Sequence, residues 1–88
     1  MKTAQAGTLE SSDIMITLSP QEPGDGVKID IDSNVLHQYG EAIQAVIAST
    51  LAEAGVKDVW VKAVDRGALD YTIKARLLTA LDRARRAA

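Results

Sequence analysis

From Ile14 onward the chain alternates apolar and polar side chains. Ile14, Ile16 and Leu18 fall on one side of an extended segment, and Met15, Thr17 and Ser19 on the other. A period of two predicts a strand with one strongly apolar face. Pro20 ends it, and Pro20 to Gly26 reads as a loop, because its prolines fix φ and its glycines accept φ > 0. The alternation resumes with Val27, Ile29 and Ile31 against Lys28, Asp30 and Asp32, a half-buried strand with one wet face. The short connection predicts that these two strands pair as an antiparallel hairpin.

The period then lengthens. Ser33 or Asn34 offers an N-cap, and Leu36, Tyr39, Ile43, Val46, Ile47, Thr50, Leu51 and Ala54 recur at steps of three and four. A helix over 34–54 follows, stopped by Gly55 as the residue after its C-cap. Lys57 to Val64 returns to a strand pattern, and Asp65-Arg66-Gly67 is a turn. Leu69, Ile73, Leu77, Leu81 and Ala84 then predict a helix from about Asp70 or Thr72 to Arg86, with a brief fourth strand at Ala68 to Tyr71 as an alternative start. Residues 1–10 show no period and read as a flexible N-terminal arm. The order β-β-α-β-(β)-α predicts one α+β domain over 1–88. It would hold a small, mostly antiparallel sheet of three or four strands with two helices on one face.

Composition narrows the chemistry more than the fold. At 88 residues and 9.4 kDa there is room for one small core, and little for a deep pocket. Without cysteine the chain has no disulfide, thiolate nucleophile or Cys-type metal site, and one histidine, His37, excludes a site of two or three histidines within one chain. Residues 1–65 carry four bases against ten acids, and 66–88 six bases against two acids. Most of that basic excess sits at the end of the second helix, where cations complement the helix dipole, so neither nucleic acid nor membrane is expected as a partner. No apolar run reaches membrane-spanning length and no secretory leader is evident, so a cytoplasmic location is the default expectation.

Candidate sites are few. His37 lies in the first turn of the first helix without an evident nucleophile or orienting acid, so packing at the rim competes with a general-base role. Asp30 and Asp32 share a strand face, where they serve solubility as readily as they would hold a cation, and they are too few for calcium. Gly24-Asp25-Gly26 precedes a strand and is a turn, not a phosphate loop. Trp60 beside Lys62 reads either as a contact patch or as a ring packed under the N-terminal arm or a helix. Ser11 and Ser12, between Glu10 and Asp13, stand where the arm enters the first strand. Such a stretch is accessible to a modifying enzyme, and is also ordinary turn chemistry. No residue is expected to be catalytic or to bind metal.

At this serine stretch the chain resembles a known family. Ala6-Gly7-Thr8-Leu9-Glu10-Ser11-Ser12-Asp13-Ile14-Met15-Ile16 is similar to the N-terminal signature of citrate lyase acyl carrier subunits (gamma chains). Asp65-Arg66-Gly67-Ala68-Leu69-Asp70, with Lys74-Ala75-Arg76-Leu77 behind it, resembles their D-x-G-A-L turn and R-A-R helix. Gln38-Tyr39-Gly40-Glu41-Ala42-Ile43 resembles their Q-F-G-x-A-I pattern. The matches run in one order across almost the whole chain. Tyr39 replaces the usual Phe, Lys74 a common Arg, the loop 21–26 is particular to this chain, and a C-terminal tail common in relatives is missing.

The resemblance implies a non-catalytic carrier. Ser11 would bear a thiol-ended 2'-(5''-phosphoribosyl)-3'-dephospho-CoA through a phosphodiester, with Ser12 at a position that relatives fill with Ser or Gly. It also implies three partners: an alpha subunit that exchanges acetyl for citryl, a beta subunit that cleaves the citryl thioester to oxaloacetate, and a transferase that attaches the group. Glu10 and Asp13 are then candidates for recognition by that transferase. The carrier of malonate decarboxylase is the related alternative. Alternatives of other classes are an unmodified interaction module, using Trp60 or the basic helix end at 83–86, and a stand-alone enzyme, against which the missing nucleophile–base pair argues. The VKIDID strand argues against the all-helical bundle of fatty-acid carriers, so a shared role would not mean a shared fold.

Overall fold

The computed structural model describes residues 1–33 and 36–86, and the side chains of all of these except 36–39. Six elements follow one another: β1 (Ala4–Gly7), β2 (Ile14–Pro20), β3 (Val27–Ser33), α1 (Leu36–Glu53), β4 (Val59–Asp65) and α2 (Asp70–Arg86). The α+β class and both helices are as expected. Asn34 and the side chains of His37 and Tyr39 lie outside the described residues.

The sheet differs from expectation in two ways. Its order is β1-β2-β4-β3, so the strands at 14–20 and 27–33 do not form a hairpin. Instead β4 lies between them, antiparallel to β2 and parallel to β3. The physical reason is the return path. The 18 residues of α1 span roughly 27 Å, enough to carry the chain back along a seven-residue strand of about 23 Å, so β4 starts beside the start of β3 and runs the same way. Burial then decides the places: Val59, Val61 and Ala63 are fully covered, whereas Val27 of β3 is exposed, which suits an edge.

The second difference is at the N-terminus. Residues 4–7, inside the stretch read as a flexible arm, form edge strand β1, paired antiparallel to β2 from Ala4↔Leu18 to Gly7↔Met15. Ala6 is buried in the core beneath α2, Arg83 Nη1 donates to the Gln5 carbonyl (2.8 Å), and the Lys2 N–H donates to the Ala84 carbonyl (3.0 Å). The fourth strand is this one, and Ala68 to Tyr71 is turn and helix start.

Both helices cover one face. The core joins Ile14, Ile16 and Leu18 of β2 and the buried row of β4 to Ile43, Ile47 and Leu51 of α1 and Ile73, Leu77 and Leu81 of α2. Among the described residues it is entirely aliphatic. Gly55, at φ +72, ends α1 with its N–H on the Ala52 carbonyl and the Val56 N–H on that of Leu51, which satisfies two of the last carbonyls. Trp60 lies on the other face, under neither the N-terminal segment nor a helix. Its indole N–H donates to Asp30 Oδ2 (2.7 Å), and the ammonium groups of Lys28 and Lys62 stand 4.6 and 4.2 Å from its ring centre.

Candidate functional site

The serine stretch becomes a closed, six-residue loop between β1 and β2. Gly7 makes the closure possible. Its φ is +102, and a Cβ there would sit 1.8 Å from the Ile14 carbonyl oxygen, so the two strand backbones meet only because residue 7 has no side chain. Within the loop the Asp13 N–H donates to the Glu10 carbonyl (3.2 Å), making a turn with Ser11 and Ser12 at its centre. Ser12 has φ +66, a left-handed conformation that glycine adopts most freely.

Asp13 holds this loop in place. Its Oδ1 accepts the Ile14 N–H (2.7 Å) and Arg76 Nε (3.0 Å), and its Oδ2 accepts the Thr8 hydroxyl (2.7 Å) and Arg76 Nη2 (2.9 Å). The pair is bidentate, and the Asp13 side chain is only 13% exposed. The Arg76 guanidinium, then the Thr8 hydroxyl and the Ile14 N–H, hold the Asp13 carboxyl well below the usual carboxylate range, and Asp13 in turn raises Arg76. With both oxygens occupied inside the protein, Asp13 shapes the loop instead of presenting itself to another molecule. Glu10, by contrast, is exposed.

A second strip of hydrogen bonds joins the loop to the turn between β4 and α2. The Ser12 N–H donates to the Arg66 carbonyl (2.7 Å), and the Arg66 N–H to the Asp13 carbonyl (2.9 Å). That turn is fixed by buried Asp65, whose carboxylate accepts the N–H groups of Gly67 (3.2 Å) and Ala68 (3.0 Å) and the Ser33 hydroxyl (2.9 Å). Two segments far apart in sequence, both singled out by their motifs, therefore form one surface.

Ser11 stands at the tip. It is exposed, and its hydroxyl makes no hydrogen bond among the described residues. A hydroxyl displayed on a rigid base, with no internal partner to lose, is suited to covalent modification. The other candidates stay apart from it. Asp30 is held by Trp60, and the Gly24–Gly26 turn is closed by N–H groups of Gly24 and Gly26 on Asp58 Oδ1 (3.0 and 2.9 Å). Among the described residues no three His, Cys, Asp or Glu side chains gather to hold a metal ion. At the C-terminal end of α2, Arg83 and Arg85 reach the backbone carbonyls of Gln5 and Ala54, and Arg86 pairs with Asp82. The Asp13–Arg76 pair was beyond sequence reasoning, since nothing in a periodic pattern relates positions 63 apart.

The model of the family described as "ACP: Malonate decarboxylase delta subunit (MdcD)" matches residues 1–84. The citrate lyase acyl carrier protein of Halothermothrix orenii is 52% identical over 87 residues, covering 99% of this chain and 90% of that protein. That of Streptococcus uberis is 55% identical over 84 residues, covering 96% and 81%. In the crystal structure of a Pseudomonas malonate decarboxylase hetero-tetramer in complex with malonate, one chain has the same fold. It superimposes with a TM-score of 0.77 at 20% identity, over 94% of this chain and 84% of that one. The chain belongs to the family of acyl carrier subunits that includes the citrate lyase acyl carrier proteins and the malonate decarboxylase delta subunit.

Proposed function

We propose that this protein is the acyl carrier subunit of a citrate lyase, with Ser11 as the attachment point of a phosphoribosyl-dephospho-CoA arm. The observation that carries the proposal is the free Ser11 hydroxyl at the tip of a loop braced by Asp13, Arg76 and the Arg66 main chain. The residues fit such a group. A phosphodiester at Ser11 displaces no hydrogen bond; the exposed Ser12 hydroxyl has no partner among the described residues either, so the choice of Ser11 rests on its place in the family signature.

When attached, the arm supplies the thiol on which acetyl and citryl groups are exchanged as thioesters in the active sites of the alpha and beta subunits. The protein's own residues set where that arm starts. Gly7, Asp13 and Arg76 hold the loop still, so the moving part of the carrier is the arm and not the polypeptide. Tethering then raises the effective concentration of the acyl group at each partner site. Exposed Glu10 is the side chain available for recognition by the attaching transferase. A cytoplasmic setting suits such a complex, and no helix among the described residues is long and apolar enough to cross a membrane.

A thiol titration tests this reading directly, because the chain contains no cysteine. Protein made with the attaching enzymes should titrate one thiol per chain, and the Ser11→Ala variant none. A thiol on that variant refutes the assignment. Reconstitution with citrate lyase subunits, against malonate decarboxylase subunits, separates the two acyl groups.

A further inference from the structure

A concave surface is walled by the β4–α2 turn, to which the serine loop is hydrogen-bonded at Arg66, and the carrier function does not by itself account for it. It lies between α1 and the β4–α2 turn, has a volume of about 610 Å³, and among the described residues is walled by apolar Ala42, Ile43, Leu69 and Ile73 together with Tyr71 and the acidic Asp65 and Asp70. That volume falls in the range of small-molecule sites, roughly 300–1,000 Å³. Leu69, at the end of the turn, and Tyr71, in the first turn of α2, are 56% and 73% exposed, although they border a buried core. One wall of this groove is the same turn whose Arg66 carbonyl accepts the Ser12 N–H, so a single turn separates the groove from the serine loop. Arg66 stands at the junction. Its Nη1 donates to the Asp65 carbonyl (3.1 Å), and it forms no ion pair among the described residues.

Resting on the carrier reading above, we propose that the groove docks the nucleoside end of the arm, with Arg66 facing the phosphodiester. The chemistry of the arm selects that end. The phosphate and ribose next to the serine lead directly to adenosine, and the thiol lies at the far end. A groove one turn away from the attachment point therefore meets a purine first, and its aromatic and aliphatic walls suit a purine face. Asp70, on the lip, offers an acceptor for the exocyclic amino group. The free cation at Arg66 complements the one charge that the linkage always carries. Covalent tethering holds the nucleoside at high local concentration, so weak contacts are enough. Seating it leaves the pantetheine segment as the swinging part, with its origin displaced from Ser11 toward α1.

The experiment compares amide spectra of the full chain before and after loading, with intact mass reporting the extent of loading. The expected result is shifted amide signals at Ala42, Ile43 and residues 67–73 as well as at 9–13, with contacts between adenine protons and the Leu69 and Tyr71 side chains. The double variant Leu69→Ser, Tyr71→Ser, at exposed positions that leave the core intact, should load fully and lose the shifts at Ala42 and Ile43. Arg66→Gln should load and show reduced shifts. A fully loaded protein whose shifts stay within 9–13 and Arg66 overturns the docking and leaves the carrier reading standing. The same spectrum, with the double variant binding the alpha or beta subunit less tightly, assigns the groove to a partner protein instead. A chain whose mass stays bare overturns the carrier reading, and the docking with it.

Discussion

Replacing Gly7 by alanine perturbs the one point where β1 and β2 meet without room for a side chain. Two effects add. An L-residue held at φ +102 carries backbone strain of about 1–3 kcal/mol. The new methyl would also lie 1.8 Å from the Ile14 carbonyl oxygen, so the strands must separate by more than an ångström at Gly7↔Met15. Losing one or two backbone hydrogen bonds there contributes about 1 kcal/mol each. The sum is about 2–5 kcal/mol, a large share of the stability expected for a domain of this length, at roughly 0.05–0.15 kcal/mol per residue. Gly24→Ala is the control. It has a similar φ of +95 but nothing within 4 Å of the added atom, so it carries the strain without the clash. Urea unfolding followed by circular dichroism, with the slope checked for constancy, measures both. Gly7→Ala should exceed Gly24→Ala by at least about 1 kcal/mol, on the same hydrogen-bond figure. Equal losses in the two variants would refute the close approach as the reason for Gly7.

Two further outcomes follow from the loop. The carboxyl of Asp13 is depressed in the folded protein, so its stabilising contribution is complete above the unfolded value near 3.9 and is lost as pH falls through that value toward the folded one. Asp13→Asn should therefore be less stable at neutral pH and should flatten the decline in urea midpoint below about pH 4; acid limbs that stay parallel count against the ion pair. Ser12→Val should lose more than about 1 kcal/mol, because a β-branched residue is strained at positive φ, whereas exposed Ser11→Val should stay within about 0.5 kcal/mol. Thermal unfolding of the two variants side by side decides it, and a reversed order contradicts the loop geometry.

Much of the fold is legible in the chain because period reports burial. The period of two found β2, β3 and β4, and the steps of three and four found both helices, since each of these elements has one apolar side to cover. Which strands pair is another matter. Val27-Lys28-Ile29-Asp30 reads identically beside β2 or beside β4, and the return path through α1 decides between them. β1 escaped because Ala-Gln-Ala-Gly has small residues with little strand preference; it is a strand because alanine is small enough to lie beneath α2. The site was legible only as motifs. Thr8 to Asp13 and Asp65 to Asp70 could each be located in the sequence, but their union depends on main-chain bonds from Ser12 and Arg66, which no side-chain pattern records. Asp13, a candidate for recognition by another protein, proves to be the brace of the loop. Tertiary hydrogen bonding gave it that role, and its sequence neighbours do not reveal it.

Peptide mapping by mass spectrometry of chain produced with the attaching enzymes tests the central claim most directly. The expected result is a single phosphoribosyl-dephospho-CoA adduct localised to Ser11, and a bare mass for Ser11→Ala with the fold unchanged. An adduct retained on Ser11→Ala, or mapped to Ser12, would contradict it.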